Sequence, residues 1–314
     1  MFAYLLRRLA ALVPVMLIVA TVGFVIVRLA PGDPAVVMLG PDASPDRVAE
    51  LRRDLGLQEP VPVQLLRWYQ RVLRADFGRS VFEGDPVTQV IRNRLEPTVL
   101  LTLLAMVVAM AIGVPAGVAS AVRRNSLVDQ LLMGVALLGV SMPSFWLGLN
   151  LILVFSLALG LFPVSGYVPL HENWTAALRS LVLPALTLGV GASGLIARMT
   201  RSAMLEVLHQ DYVRTALAKG VPGRRVLVRH ALRNALIPVV TVIGLSMGTL
   251  LAGAVTVETV FAIPGVGLLV ISSVLRRDLP VIQGVLLFAA TVYVLVNLLV
   301  DLIYVYLDPR ITYV

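Results

Sequence analysis

The chain has 314 residues, 58% of them hydrophobic and only 14% charged, a balance foreign to a water-soluble globular domain. It holds no cysteine, which excludes disulfides and thiolate sites, and its three histidines, His171, His209 and His230, lack the spacing of a helical zinc site. The net charge of +8 lies between apolar runs, where it reads as positive-inside retention beside lipid headgroups and not as a nucleic-acid surface.

Arg7 and Arg8 precede a first apolar run, Leu9 to Val27, long enough to cross a hydrocarbon core that needs about 20 helical residues. The same pattern opens a signal peptide, but the run is long and Ala30 is followed by Pro31 instead of a small-residue cleavage site. Residues 1–30 are therefore expected to form a retained anchor helix.

Residues 31–96 read as a small external helical segment. Ser44-Pro45-Asp46 supplies an N-cap, an N1 proline and an acidic first turn for a helix ending near Gly56. A second helix is predicted from about Pro62, with Leu65, Leu66, Tyr69, Val72 and Leu73 inward and Arg67, Gln70, Arg71 and Arg74 wet. Asp85-Pro86 caps a third short helix. The expectation is a cap packed on the membrane domain.

The core, residues 97–314, carries five more apolar stretches: Pro97 to Val122, Gln130 to about Phe162, Ser180 to Ala197, Asn234 to Val257 and Leu279 to Val300. Six transmembrane helices in an all-α integral membrane protein are thus expected. Arg123 and Arg124, and the group Arg198, Arg201, Arg214, Lys219, Arg224, Arg225, Arg229 and Arg233, share a side with Arg7 and Arg8. The opposite short loops hold only Arg179, Arg276 and Arg277, so both termini are assigned to the cytoplasm of a multi-pass protein.

Lipid tails give helices no hydrophobic reason to associate, so close packing needs small side chains. Span two repeats Ala105, Ala109, Gly113, Gly117 and Ala121, and span five repeats Gly244, Gly248, Ala252 and Thr256, which predicts both to be central. A third of a turn away on span five lie Ser246, Thr249 and Gly253. Their hydroxyls either line an aqueous path or bond their own helix carbonyls, and Asn150 in span three has the same two readings. Pro115 and Pro143 are predicted to interrupt their helices. Glu258 and Asp301 stand near span ends, where hydration or a local ion pair is expected, and no acidic chain crosses the membrane as a proton-coupled carrier would need.

The loop over 198–236 is too long for a connector. In it Asp211 to Gly220 reads as a short helix stopped by Gly220 and Pro222, and Arg224 to Leu236 as an interfacial helix leading into span five. Such a glycine-bounded helix suits either a partner's groove or the membrane surface.

Arg214-Thr-Ala-Leu-Ala-Lys-Gly220, followed by Arg229-His-Ala-Leu-Arg-Asn-Ala-Leu-Ile-Pro238, resembles the coupling loop of dipeptide and oligopeptide permeases of ATP-binding-cassette (ABC) importers. Leu5-Leu-Arg-Arg8, Arg28-Leu-Ala-Pro-Gly-Asp-Pro34, Ser141-Met-Pro-Ser-Phe-Trp146 and Leu161-Phe-Pro-Val-Ser-Gly166 fit the same family. So do Glu258-Thr-Val-Phe-Ala-Ile-Pro-Gly265, Arg277-Asp-Leu-Pro-Val-Ile-Gln-Gly284 and Leu307-Asp-Pro-Arg310. Thr215-Ala216 stands where the broader permease signature begins Glu-Ala-Ala, and Asn234 where some peptide permeases have Pro.

The resemblance implies a type I importer permease in a bacterial or archaeal cytoplasmic membrane. Its implied partners are a homologous second permease subunit, two ATPase subunits that bind ATP and Mg, and an extracytoplasmic solute-binding protein. Arg214, Thr215, Ala216, Lys219 and Gly220 would dock on the ATPase. This chain has a single lysine, Lys219, followed by Gly220, so it lacks a phosphate-binding P-loop, and neither a catalytic residue nor a cofactor is expected in it. Di- or oligopeptides are the implied cargo, with nickel chelates, glutathione and opines carried by similar permeases. A stand-alone secondary carrier is disfavoured by the loop.

Overall fold

The computed structural model describes residues 2–29, 33–40, 43–54 and 56–307, without the side chains of 2–12, 27, 28, 34, 37, 38 and 300–307. The side chains of Arg7, Arg8 and Asp301, the Ala30-Pro31 junction and the Asp308 to Arg310 motif lie outside the described residues. Among those described there is no strand, only one isolated bridge between Arg79 and Pro86.

The helices, in chain order, are α1 (Phe2–Leu29), α2 (Pro34–Leu39), α3 (Pro45–Asp54), α4 (Val61–Leu73), α5 (Val87–Val122), α6 (Leu127–Ser141) and α7 (Ser144–Leu151), the last continued by a π-helical Ile152–Ala158. Then follow α8 (Trp174–Leu208), α9 (Asp211–Ala218), a short α10 (Gly223–Arg225), a π-helical Val226–Leu232, α11 (Arg233–Val260), α12 (Val266–Arg276) and α13 (Leu279–Leu307). Four stretches are long and apolar enough to cross a membrane: α5, α8, the run Gly223–Val260, and Leu279–Leu299 of α13. The pair α6 and Ser144–Ala158 makes a fifth if it counts as one bent span, and Val13–Ile26 of α1 is a shorter apolar helix.

The chain divides into two units. One takes residues 1–96 with 268–295. Pro45 opens α3 with Asp46 in the first turn, as the sequence predicts, while α2 is a helix the sequence reading did not name, capped by Asp33 accepting from the Ala35 amide at 2.8 Å. Burial pushes the Asp33 carboxyl up, but the Arg52 hydrogen bond and the Ala35 and Val36 amides bring it below its ordinary value. The inward face of α4 is turned from the predicted one. Its centre is Trp68, which is 2% exposed, while Leu66 and Leu73 are 59% and 87% exposed. The Trp68 indole donates to Ala20 O at 2.9 Å and Tyr69 pairs its hydroxyl with Thr21 at 2.6 Å, so polar anchors on α1 set the rotation that apolar periodicity alone misplaces. Phe24 and Leu287 close this small core, and Gln283 donates to Gly23 O at 3.1 Å.

The other unit takes residues 97–267 and those from 296 onward. All of Ala105, Ala109, Gly113, Gly117 and Ala121 are buried along α5. A Cβ on Gly113 would lie 2.7 Å from Ser193 O, and one on Gly117 would lie 2.5 Å from Ala197 O, so α5 touches the α8 backbone directly. Gly189 of α8 answers toward Ala105 O, and Gly194 meets Ala136 O of α6. The most thoroughly buried helix is therefore α8, with α11 packed on it. The span-five stripe behaves otherwise: Gly244 is buried and Gly248 half-buried, but Ala252 and Thr256 are exposed. The buried face of α11 runs instead through Val239, Ser246, Leu250, Ala254 and Val257.

Proline acts unevenly. Pro143 denies the backbone an N–H and holds Met142 extended (φ −76°, ψ 129°), so α6 and the following helix meet at 103°. Pro115 and Pro97 instead lie inside an unbroken α5. The predicted third external helix is the first part of that same α5, and α8 continues 11 residues beyond the expected end of span four.

Candidate functional site

Four places in the 97–267 unit carry polar chemistry. The first is α9. Asp211 stands in its first turn, Lys219 ends it, and Gly220 follows at φ +78°, a left-handed conformation that favours glycine. Of its side chains Val213 is buried at 2% exposure, while Tyr212, Arg214, Thr215, Leu217, Lys219 and Gly220 face outward and Ala216 is half-buried. Arg214 reaches Asp211 only at 4.0 Å and keeps 70% of its side chain exposed. This short helix thus offers a basic and apolar outer surface while one valine holds it in place.

A polar link ties α9 to the helix after it. The π-helical turn breaks the regular i to i−4 ladder ahead of α11. Asn234 donates to His230 O at 3.1 Å and to the Tyr212 hydroxyl at 2.7 Å, and that hydroxyl donates to the same carbonyl at 3.4 Å. Asn234 is the residue at which the motif departs from proline, and here its amide joins α9 to the start of α11.

The second place is a cavity of about 310 Å³ between α6, α7, α8 and α11, within the range of small-molecule sites. Ser246, Thr249 and Gly253 all line it, with Ser144, Thr187 and Arg198. The Ser246 hydroxyl donates to Val242 O at 2.8 Å and that of Thr249 to Ser246 O at 2.8 Å. Both protons therefore serve the helix, and of the two residues Thr249 is exposed while Ser246 is 3% exposed. Asn150 is not among the lining residues, and its amide donates to Trp146 O at 2.8 Å.

The third is an ion pair that sequence reading did not find. Asp129, 4% exposed, receives Arg201 at both oxygens, Nε to Oδ1 at 2.7 Å and Nη2 to Oδ2 at 2.8 Å. Ser120 donates to the same carboxylate, and the Asn125 amide does so at 2.9 Å. One carboxylate therefore clasps α5, α6 and α8. The residues are 72 positions apart, and the only signal was a charge at the edge of an apolar run.

The fourth is Glu258. It is wholly buried, not hydrated as its place near a span end suggested. Thr98 donates to its Oε1 at 2.6 Å and accepts from the Val266 amide at 2.8 Å, joining α5, α11 and the start of α12. A Cβ on Gly265 would fall inside the Glu258 carboxyl group, so glycine there makes room for it. No cluster of three or more His, Cys, Asp or Glu suited to a metal occurs among the described residues.

Comparison with known proteins gives a consistent picture. Residues 1–102 match the model "Binding-prot-dependent transport system membrane comp, N-term", and residues 113–313 match "Binding-protein-dependent transport system inner membrane component". A putative peptide transport system permease protein of Brucella abortus (strain 2308) is 47% identical over 313 residues, all of both chains. A probable peptide ABC transporter permease protein of Sinorhizobium fredii is 46% identical over the whole of both. The dipeptide transport system permease protein DppB of Escherichia coli (strain K12) is 44% identical, with 99% of each chain covered. Among solved structures, a chain of the methionine ABC transporter MetNI in an inward-facing crystal form matches with TM-score 0.60 and 20% identity, over 70% of this chain and 97% of that one. That likeness is one of fold.

Proposed function

The chain belongs to the family of binding-protein-dependent transport system inner membrane components, and we propose that it forms half of the translocation pathway of an ATP-driven peptide importer. One observation carries this reading above others: 44–47% identity over the full length to permeases named for peptide or dipeptide transport. The geometry of α9 supports it, because an exposed basic helix ending at a left-handed glycine is built to dock.

In this reading α1 is the first of six spans and the bent α6–α7 pair belongs to the third. Both termini and α9 lie on the cytoplasmic side, and residues 31–96 face outward. Two ATPase subunits bind ATP and Mg, a homologous permease supplies the other half of the channel, and an extracytoplasmic binding protein delivers the peptide. Closure of the ATPases moves α9, which engages them through Arg214, Thr215, Ala216, Lys219 and Gly220. The Tyr212–Asn234 link passes that movement to α11, whose Ser246, Thr249 and Gly253 line the cavity. Access then alternates between the two membrane faces.

Proteoliposomes provide the test. Dipeptide uptake is expected only when the chain is assembled with its partner permease, ATPases and binding protein and supplied with ATP. Uptake by the chain alone would contradict the assignment.

A further inference from the structure

The cavity has an uneven chemistry. Of its lining residues among those described, Arg198 alone is charged, and it is exposed, with no hydrogen bond or ion pair to the protein. The lining hydroxyls of Thr187, Ser246 and Thr249 all donate to carbonyls of their own helices, at 2.8 Å each. Their protons are committed, so each keeps only acceptor capacity; Thr187 and Ser246 are buried, Thr249 is exposed, and Ser144, also in the lining, makes no such bond among the described residues. Arg198 presents only donors, in the planar fork that matches a carboxylate.

A ligand that satisfies both walls carries a carboxylate at one end and N–H groups at the other. We propose that Arg198 is a substrate-binding residue that takes the terminal carboxylate of a peptide in the cavity, while the exposed hydroxyl oxygen of Thr249 accepts from one of its N–H groups. This rests on the importer reading above and adds to it a chemical discrimination. With no acidic side chain in the cavity the ammonium end meets only neutral acceptors, so the carboxylate is the end that is selected. A charge-assisted, bidentate contact of this kind is worth roughly tenfold or more in affinity.

The chain has no cysteine, so Leu195→Cys, at an exposed lining residue outside the proposed contacts, provides a single reporter in it. In the assembled, nucleotide-free transporter, an aqueous thiol reagent labels that cysteine and a bound ligand slows it. Dialanine should protect, N-acetyl-dialanine should protect at similar concentration, and dialanine amide should need roughly tenfold more. Arg198→Gln should abolish the difference between acid and amide, and Arg198→Lys should retain part of it as a point charge without the fork. Equal protection by all three peptides, or a carboxylate preference that survives Arg198→Gln, would overturn the role of Arg198 and leave the peptide-path reading standing. Protection by none of them would overturn the path reading itself.

Discussion

Arg201 on α8 grips both carboxylate oxygens of Asp129 on α6, across 72 residues of sequence. The two sides of the pair are not equivalent, since the Asp129 side chain is 5% exposed and that of Arg201 is 27% exposed. Removing Arg201 leaves a buried charge whose only other donors are the Ser120 hydroxyl and the Asn125 amide, whereas removing Asp129 leaves those two neutral donors without an acceptor and a guanidinium able to turn outward. Arg201→Ala should therefore destabilise by about 3 kcal/mol and Asp129→Ala by less, about 1–2 kcal/mol, with the double variant well short of the sum. Heating the detergent-solubilised assembly and measuring what remains folded by size exclusion checks the order, which a purely surface pair would not produce.

The α5–α8 contact makes a steric prediction. A Cβ on Gly117 would lie 2.5 Å from both Ala197 O and Thr200 Cβ, and backbone cannot step aside as a flexible side chain can. Gly117→Val should cost about 1–3 kcal/mol or more and reduce the yield of folded protein. Gly134, with nothing within 4 Å of its Cβ position, should accept alanine without loss, as the yields of the two variants will show.

Gly220 ends α9 at φ +78°, and a leucine there carries about 1–2 kcal/mol of backbone strain. Gly220→Leu and Arg214→Glu should each lower transport-linked ATP hydrolysis while leaving membrane insertion intact. Normal coupling in both variants would remove α9 from the docking role.

Tyr212 and Asn234 predict a milder phenotype. Tyr212→Phe removes the hydroxyl that receives Asn234 at 2.7 Å and leaves Arg214, Thr215, Lys219 and Gly220 unchanged. The link is worth about 0.5–1.5 kcal/mol, so the expected result is ATP hydrolysis near normal with fewer peptides moved per ATP. The ratio of uptake to hydrolysis in proteoliposomes measures it.

The sequence announced these features to different degrees. The α9 helix was legible to within two residues, because Asp211, Gly220 and Pro222 mark its ends with local chemistry. The small-residue face of α5 was equally clear, since a repeat of four is visible in one dimension. Trp68, the Asp129–Arg201 pair and the burial of Glu258 were not, because each depends on a partner distant in sequence: Ala20 O, α8 and Thr98. The α11 stripe misled for a related reason, as small residues mark where a helix can approach a neighbour without saying which neighbour is present. Pro143 was a visible break, but a proline in the sequence does not state the angle, which is 103°.

Alternating access is the centre of the account, and accessibility at Thr249 tests it most directly. In the assembled transporter carrying Thr249→Cys, with no peptide added, an aqueous thiol reagent should label the residue readily without nucleotide and much more slowly when ATP is trapped on the ATPases. Gly220→Leu in the same chain should weaken that dependence. Labelling at one rate in every nucleotide state would contradict a cavity gated through α9 and α11.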